Sequence, residues 1–173
     1  MIIRKAEMRD AAAIAQTYDE LSALEAERGT TTNWVAGVYP TIAVPEEKIP
    51  RGEMFVLEED GELCASLVLN QEQAKEYYLI PWKYPAEDKD VYAIHTLCIR
   101  PEKAGRGYGT ALVSFAKDYA RTQGAKAVRL DTWTHNEPAK ALYTKNGFSI
   151  VGEMPCLHQG LIESTLVYLE CGL

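Results

Sequence analysis

The stretch Ala104-Gly105-Arg106-Gly107-Tyr108-Gly109 decides how the rest of the chain is read. Three glycines at alternate positions let the backbone approach a ligand with no Cβ in the way. They also open a helical pattern, Gly107 to Gln123, whose first amides lack intrahelical partners and carry the positive end of the helix dipole. An anion such as pyrophosphate suits that place. Two other readings compete. One is a plain strand-to-helix loop, because glycine so often serves loops. The other is a dinucleotide site, for which Asp131, at the end of the next strand, imitates the ribose-binding acid. That fingerprint needs G-x-G-x-x-G, however, and Thr110 stands where its third glycine belongs. Arg100-Pro101-Glu102-Lys103 also separates the strand from the glycines, and no Gly-Lys-Ser or Gly-Lys-Thr makes a P-loop.

Working outward, Val91 to Ile99 reads as the strand before the turn and Ala127 to Thr132 as the strand after its helix. Pro138 to Asn146 reads as a short helix, and Phe148 to Glu153 and Ile162 to Glu170 as two closing strands. Upstream, Asp10 is placed to cap a helix with Ala11, Ile14, Tyr18 and Leu21 on one stripe and Gly29 as its stop. Met54 to Glu58 and Leu63 to Asn70 flank Asp60-Gly61, a strong hairpin signal. Residues 30–52 allow a short helix or a loop, and residues 71–90 are too irregular for a regular element. The order predicts an α/β fold with a mixed sheet.

The segment Asn136-Glu137-Pro138-Ala139-Lys140-Ala141-Leu142-Tyr143-Thr144-Lys145-Asn146-Gly147-Phe148 is a capped helix that ends on glycine and enters a strand. Together with Ile99-Arg100-Pro101 through Gly109, it resembles the two signature segments of the GNAT superfamily of N-acetyltransferases. The likeness is specific over residues 91–153, looser over the N-terminal helix and hairpin, and fades in 28–52 and 71–90, where the superfamily varies with its acceptor. It implies a single N-acetyltransferase domain over 1–173, with a mixed, largely antiparallel sheet of about six to seven strands, flanking helices and splayed central strands.

The resemblance also implies site residues. Backbone amides of Gly105, Arg106, Gly107, Tyr108, Gly109 and Thr110 would hold the pyrophosphate of acetyl-CoA, and the main chain of Leu97, Cys98 and Ile99 would bind pantetheine. Asn136, Ala139, Lys140 and Tyr143 would meet the cofactor from the second segment. The family usually has Gln or Arg where this chain has Ala104, so that position offers only backbone, and Lys103 or Arg106 could compensate electrostatically. Tyr143 matches the tyrosine that hydrogen-bonds the departing sulfur. A phenol of pKa ~10 is a weaker acid than a thiol of ~8.5, so complete proton transfer would run uphill by ~2 kcal/mol. Stabilisation of developing charge is the expected role.

A lysine-like acceptor amine, pKa ~10.4, is largely protonated at neutral pH, so a base or water chain must deprotonate it. The family's catalytic glutamate region offers Ala93 here, and His95 is the nearest replacement, on the face that two-residue alternation shares among Ala93, His95 and Leu97. An ordinary strand histidine is the competing reading. Asn136 would cap its helix with or without a ligand, and Lys140 could equally be solvated. Glu25, Trp34, Tyr77, Tyr78, Trp82 and Tyr84 are candidates for an acceptor cleft, or for core and subunit contacts.

Composition sets the outer limits. With 173 residues, a quarter of them charged, the chain suits one core. The net charge of −7 would repel a phosphate backbone, which argues against nucleic acid. No run approaches the roughly 20 apolar residues of a membrane span, and no signal-like stretch follows Met1. A soluble, cytoplasmic protein is predicted. Cys64, Cys98, Cys156 and Cys171 are scattered, without a C-x-x-C pair, so reduced thiols and no metal are expected. The predicted activity is acetyl transfer from acetyl-CoA to a small-molecule or peptide amine by direct attack, with a homodimer left open. A non-catalytic CoA-binding sensor and an NAD-dependent oxidoreductase are the alternatives.

Overall fold

Asp60 and Gly61 both have positive φ, 53° and 79°, the conformation that a tight hairpin between right-twisted strands demands. Across this turn β2 (Met54–Glu59) and β3 (Glu62–Asn70) pair antiparallel, and β1 (Ile2–Lys5) adds to β2. The computed structural model describes residues 1–158 and 162–173. In it β4 (Val91–Ile99), β5 (Ala127–Trp133), β6 (Ser149–His158) and β7 (Ile162–Gly172) complete a seven-stranded sheet of order β1-β2-β3-β4-β5-β7-β6. Its helices are α1 (Ala11–Arg28), α2 (Ala43–Lys48), α3 (Tyr108–Thr122) and α4 (Glu137–Lys145). Among the described residues, no helix is long and apolar enough to cross a membrane.

The chain forms two compact units. The first comprises Met1–Thr30, Trp34–Leu69 and Thr96–Leu112, and the second Thr31–Asn33, Asn70–His95 and Val113–Leu173, so β4 and α3 each pass through both. In the first unit, Ile14 and Tyr18 of α1 pack on Met54, Val56, Val68 and Cys98. Arg4 binds Asp10 at 2.7 Å and Glu58 at 2.5 Å at one end of this unit. In the second, Ala93, Leu166 and Tyr168 on one sheet face are covered by Tyr77 and Ile80, with Trp82 packed beside them. The irregular 71–90 segment is thus the second layer of that core, and 3-10 turns at Lys75–Leu79 and Asp88–Asp90 shape it.

β4 and β5 are parallel only over Val91↔Ala127, Tyr92↔Val128 and Ala93↔Arg129 among the described pairs, although the strands continue to Ile99 and Trp133. Thr96, beyond the last pair, has φ 47°. That kink and the consecutive buried residues Ala93 and Ile94 interrupt strict alternation. The face shared by Ala93, His95 and Leu97 therefore does not follow from spacing alone.

Three further details differ from the sequence reading. Asp10 does not cap α1: it has helical φ and ψ of −84° and −17°, because a 3-10 turn at Met8–Asp10 already leads into the helix. Its carboxylate instead accepts the Glu7 N–H at 2.7 Å. β1 escapes pattern reading because it is four residues long and only partly covered. The final hairpin runs longer than its apolar alternation suggested, as β6 and β7 pair from Ser149↔Glu170 to His158↔Ile162.

Candidate functional site

In the first unit, Pro101–Lys103 forms a 3-10 turn that ends at Ala104. Gly105 and Gly107 follow with φ of 79° and 84°, and Arg106 between them has no positive φ. Such alternation of hand turns successive N–H groups toward one concavity, a nest for an anion. The first helical bond of α3 runs from the Ala111 N–H to the Gly107 carbonyl at 3.0 Å. The N–H groups of Tyr108, Gly109 and Thr110 precede it and point out of the helix start. Nothing lies within 4 Å of a Cβ built on Gly105 or Gly107, so the glycines are needed for conformation, not for room inside the protein.

Several groups flanking the turn have partners within the protein. The Ala104 N–H donates to the Pro101 carbonyl at 3.1 Å and is occupied within the turn. Lys103 is paired with Glu62, which leaves Arg106 as the exposed cation of the turn. Tyr108 is buried, its hydroxyl donating to Glu59, so its backbone rather than its ring faces the helix start.

Leu97, Cys98 and Ile99 form the last stretch of β4. The Cys98 side chain is buried toward α1, with Sγ 3.9 Å from the Thr17 carbonyl, and burial pushes its thiol up to about 12. It is no nucleophile at neutral pH, since only the thiolate attacks.

In the second unit, Asn136 caps α4 by accepting the Ala139 N–H at 3.1 Å, while its amide donates to Thr132 Oγ1 at 3.1 Å. Ala139 therefore spends its N–H on the cap. Lys140 donates from Nζ to the Thr134 carbonyl and to Glu137 Oε1, both at 2.6 Å, and staples the loop before α4. Tyr143 is buried, edge-on to Phe148 at 5.5 Å. Burial foremost, then the charge of Asp131, raises its phenol well above the ordinary tyrosine value. His95 is half-buried on β4 with Nε2 3.1 Å from the Glu72 carbonyl. A carbonyl only accepts, so Nε2 is the donor in this contact.

The acceptor candidates separate. Tyr77 and Trp82 belong to the second core, Trp82 also lying over Arg129 at 4.3 Å. Trp34 packs edge-on to Tyr18 and Tyr39 in the first unit, and Glu25 accepts from Thr30 at 3.0 Å. Tyr78 is exposed and donates to Asp88 at 2.7 Å. Tyr84 is also exposed and its carbonyl accepts from Arg129 at 3.0 Å. None of the six lines the cleft that the second unit does contain, an open space of about 750 Å³ bounded by Trp133, His135, Cys156, Glu163 and Ser164, among others. Sequence reading missed this cleft because its walls come from three strands. Asp131, two residues before Trp133, accepts a hydrogen bond from Tyr77 at 2.8 Å. Among the described residues, no group of three or more His, Cys, Asp or Glu is arranged to hold a metal ion.

The glycine turn ahead of α3 and the capped helix α4 both fall within a stretch of sequence that marks the chain as an acyl-CoA-dependent N-acetyltransferase. The chain belongs to the Acetyltransferase (GNAT) family, whose sequence profile matches residues 16–148. It is 30% identical over 148 residues to the uncharacterized N-acetyltransferase YhfO of Bacillus subtilis (strain 168), covering 86% of this chain and 89% of that one. A GNAT-family acetyltransferase from Streptococcus agalactiae 2603 shares the fold with a TM-score of 0.81 at 19% identity, over 99% of this chain and 95% of the other. The yncA protein of Salmonella typhimurium, solved with its cofactor acetyl-CoA, has a TM-score of 0.71 at 21% identity over 100% and 94% of the two chains.

Proposed function

We propose that residues 1–173 act as one N-acetyltransferase domain that moves an acetyl group from acetyl-CoA to a primary amine by direct attack. The observation that carries this reading is the pair of positive-φ glycines ahead of the first amides of α3, in a chain whose family match includes both this turn and Asn136 through Phe148. The N–H groups of Gly105, Arg106, Gly107, Tyr108, Gly109 and Thr110 hold the pyrophosphate, and the main chain of Leu97, Cys98 and Ile99 holds the pantetheine amides. Acetyl-CoA brings the activated thioester. Tyr143 donates its hydroxyl hydrogen to the sulfur as negative charge develops there, and its raised pKa keeps that donor protonated. His95 or a water chain takes the proton from the amine. Overall an ammonium ion and acetyl-CoA give an N-acetyl amine, CoA thiol and one proton.

The test is calorimetric binding of acetyl-CoA followed by thiol-release assays over a panel of primary amines. Binding with turnover supports the reading. Stabilisation by NADH alone would overturn it in favour of an oxidoreductase, and acetyl-CoA binding without turnover of any amine would favour a sensor.

A further inference from the structure

Asp131 sits where a sheet face changes character. In the second unit Arg129, Asp131 and Trp133 share one face of β5, and their partners on β7 are Glu170, Tyr168 and Leu166. Arg129 and Glu170 are fully covered, Asp131 is half-exposed, and Trp133 borders the cleft. Cys156 and Ser164, a cross-strand pair of β6 and β7, continue the same face into the cleft wall. Asp131 is thus a half-exposed carboxylate on the same face of β5 as Trp133, two residues along the strand from that wall of the cleft.

The carboxylate is also held. Tyr77, 1% exposed, donates to Oδ2 at 2.8 Å, and no hydrogen bond to Oδ1 is made among the described residues. The charge reaches two neighbours that matter. It adds to the burial that lifts Tyr143, the hydroxyl assigned to the thioester sulfur, and to the burial that pushes Cys156 in the cleft wall up to about 11. Among the described pairs, Asp131 also faces Tyr168 of β7, on the face that Cys156 and Ser164 carry into the cleft wall. Glu163 adds a second carboxylate at the cleft margin, which favours a cation over an anion.

Resting on the acetyl-transfer reading, we infer that Asp131 and this cleft form the acceptor site, which takes a primary amine arriving as its ammonium ion. The ammonium sits on Oδ1 of Asp131 and the apolar body of the amine lies against Trp133. An aromatic face and a carboxylate together favour such a cation with an apolar stem. Once the amine has lost a proton, an N–H retained on Oδ1 fixes where its lone pair points. Tyr77 is a positioning residue, since it holds the carboxylate and does not meet the amine.

The test uses the full chain and benzylamine as probe, with benzyl alcohol as its uncharged counterpart. Acetyl-CoA affinity is measured first by calorimetry, and its absence in the wild-type chain removes the acyl-transfer reading and this inference with it. In CoA-loaded protein, ligand-observed NMR then compares wild type, Asp131→Asn and Trp133→Ala. The expected result is benzylamine binding to wild type that weakens about tenfold or more in Asp131→Asn, with benzyl alcohol and acetyl-CoA unaffected. Trp133→Ala should weaken benzylamine and benzyl alcohol alike. Acetyl-CoA binding without any benzylamine binding overturns the inference while leaving the transferase reading in place. Equal benzylamine affinity in wild type and Asp131→Asn also overturns it. If Asp131→Asn does not fold, unchanged benzylamine affinity in Trp133→Ala does the same.

Discussion

The guanidinium of Arg129 and the carboxylate of Glu170 lie against each other in the second unit, Nε to Oε1 at 3.1 Å, with side-chain exposures of 5% and 0%. Each group has further partners. Arg129 donates to Gln73 Oε1 at 2.9 Å and to the Tyr84 carbonyl at 3.0 Å. Glu170 accepts the N–H groups of Lys83 at 2.8 Å and Tyr84 at 3.2 Å. The pair thus joins the sheet to the start and the middle of the irregular segment that covers Ala93 and Tyr168, the segment that also brings Tyr77 to Asp131.

Removing one partner of this pair should be costly, because the other charge stays buried. Glu170→Ala is expected to lose about 3–5 kcal/mol of stability, as is Arg129→Ala, whereas replacing both by apolar residues of similar volume should lose much less. Urea unfolding of the three variants checks this. Equal losses for the single and double replacements would show that the ion pair is not what holds the segment.

Tyr143→Phe removes a hydrogen-bond donor that the proposed reaction uses only as sulfur becomes negative. Its kcat should fall about tenfold to a hundredfold while the KM for acetyl-CoA changes little. The raised phenol pKa has a second consequence. The wild-type hydroxyl stays protonated as pH climbs through the ordinary tyrosine range near 10, so Tyr143 should impose no alkaline loss of kcat below that range. Stopped-flow thiol release across pH 6.5 to 9.5, about three pH units on the neutral side of that range, measures both effects.

Gly107→Ala forces a Cβ into a backbone with φ 84°. The conformation costs a non-glycine residue roughly 1–2 kcal/mol, so the turn should relax and acetyl-CoA affinity fall by about tenfold. No atom lies within 4 Å of the new Cβ, so melting should drop by only a few degrees. Calorimetry and a thermal melt separate the two quantities.

Cys98, with its thiol pushed up to about 12, should resist alkylation in the folded protein. At pH 8 its thiolate fraction is about one part in ten thousand. Mass-mapped iodoacetamide labelling should leave Cys98 unmodified until denaturant is added, and Cys98→Ala should retain turnover. Loss of turnover with an intact fold would reopen the covalent route.

Asp10 is held below the ordinary carboxylate range chiefly by its hydrogen bond with Arg4, against the opposing effect of burial. The unfolded chain therefore takes up this proton before the folded one does. Its stabilisation is complete above the ordinary aspartate value near 4 and disappears as pH falls through the lower folded value. Asp10→Asn should accordingly flatten the acid side of a plot of Tm against pH and leave its slope above pH 6, about two units clear of that range, unchanged.

Local chemistry made much of this protein readable. Asp60-Gly61 demanded a hairpin, Asn136 capped α4, and the alternate glycines marked the turn that opens α3, because each effect acts within a few residues. The same locality misled at Asp10, where a 3-10 turn that pattern rules do not see had already begun the helix. Side-chain partners came from the folded chain. Ala104 and Ala139 carry N–H groups already used within the turn and the cap, and Lys140 is held by Thr134 and Glu137.

The amino-acid order by itself determined the family, the α/β fold and the position of the glycine turn, since backbone conformation and helix starts are encoded by neighbours in sequence. Only tertiary structure decided that Tyr77 would be buried in the second unit's core and donate to Asp131. It also decided that Trp133, Cys156 and Ser164 would share a face. Those contacts join β5, β6, β7 and an irregular segment, and a sheet face assembled by pairing of distant strands has no signature in any one stretch of chain.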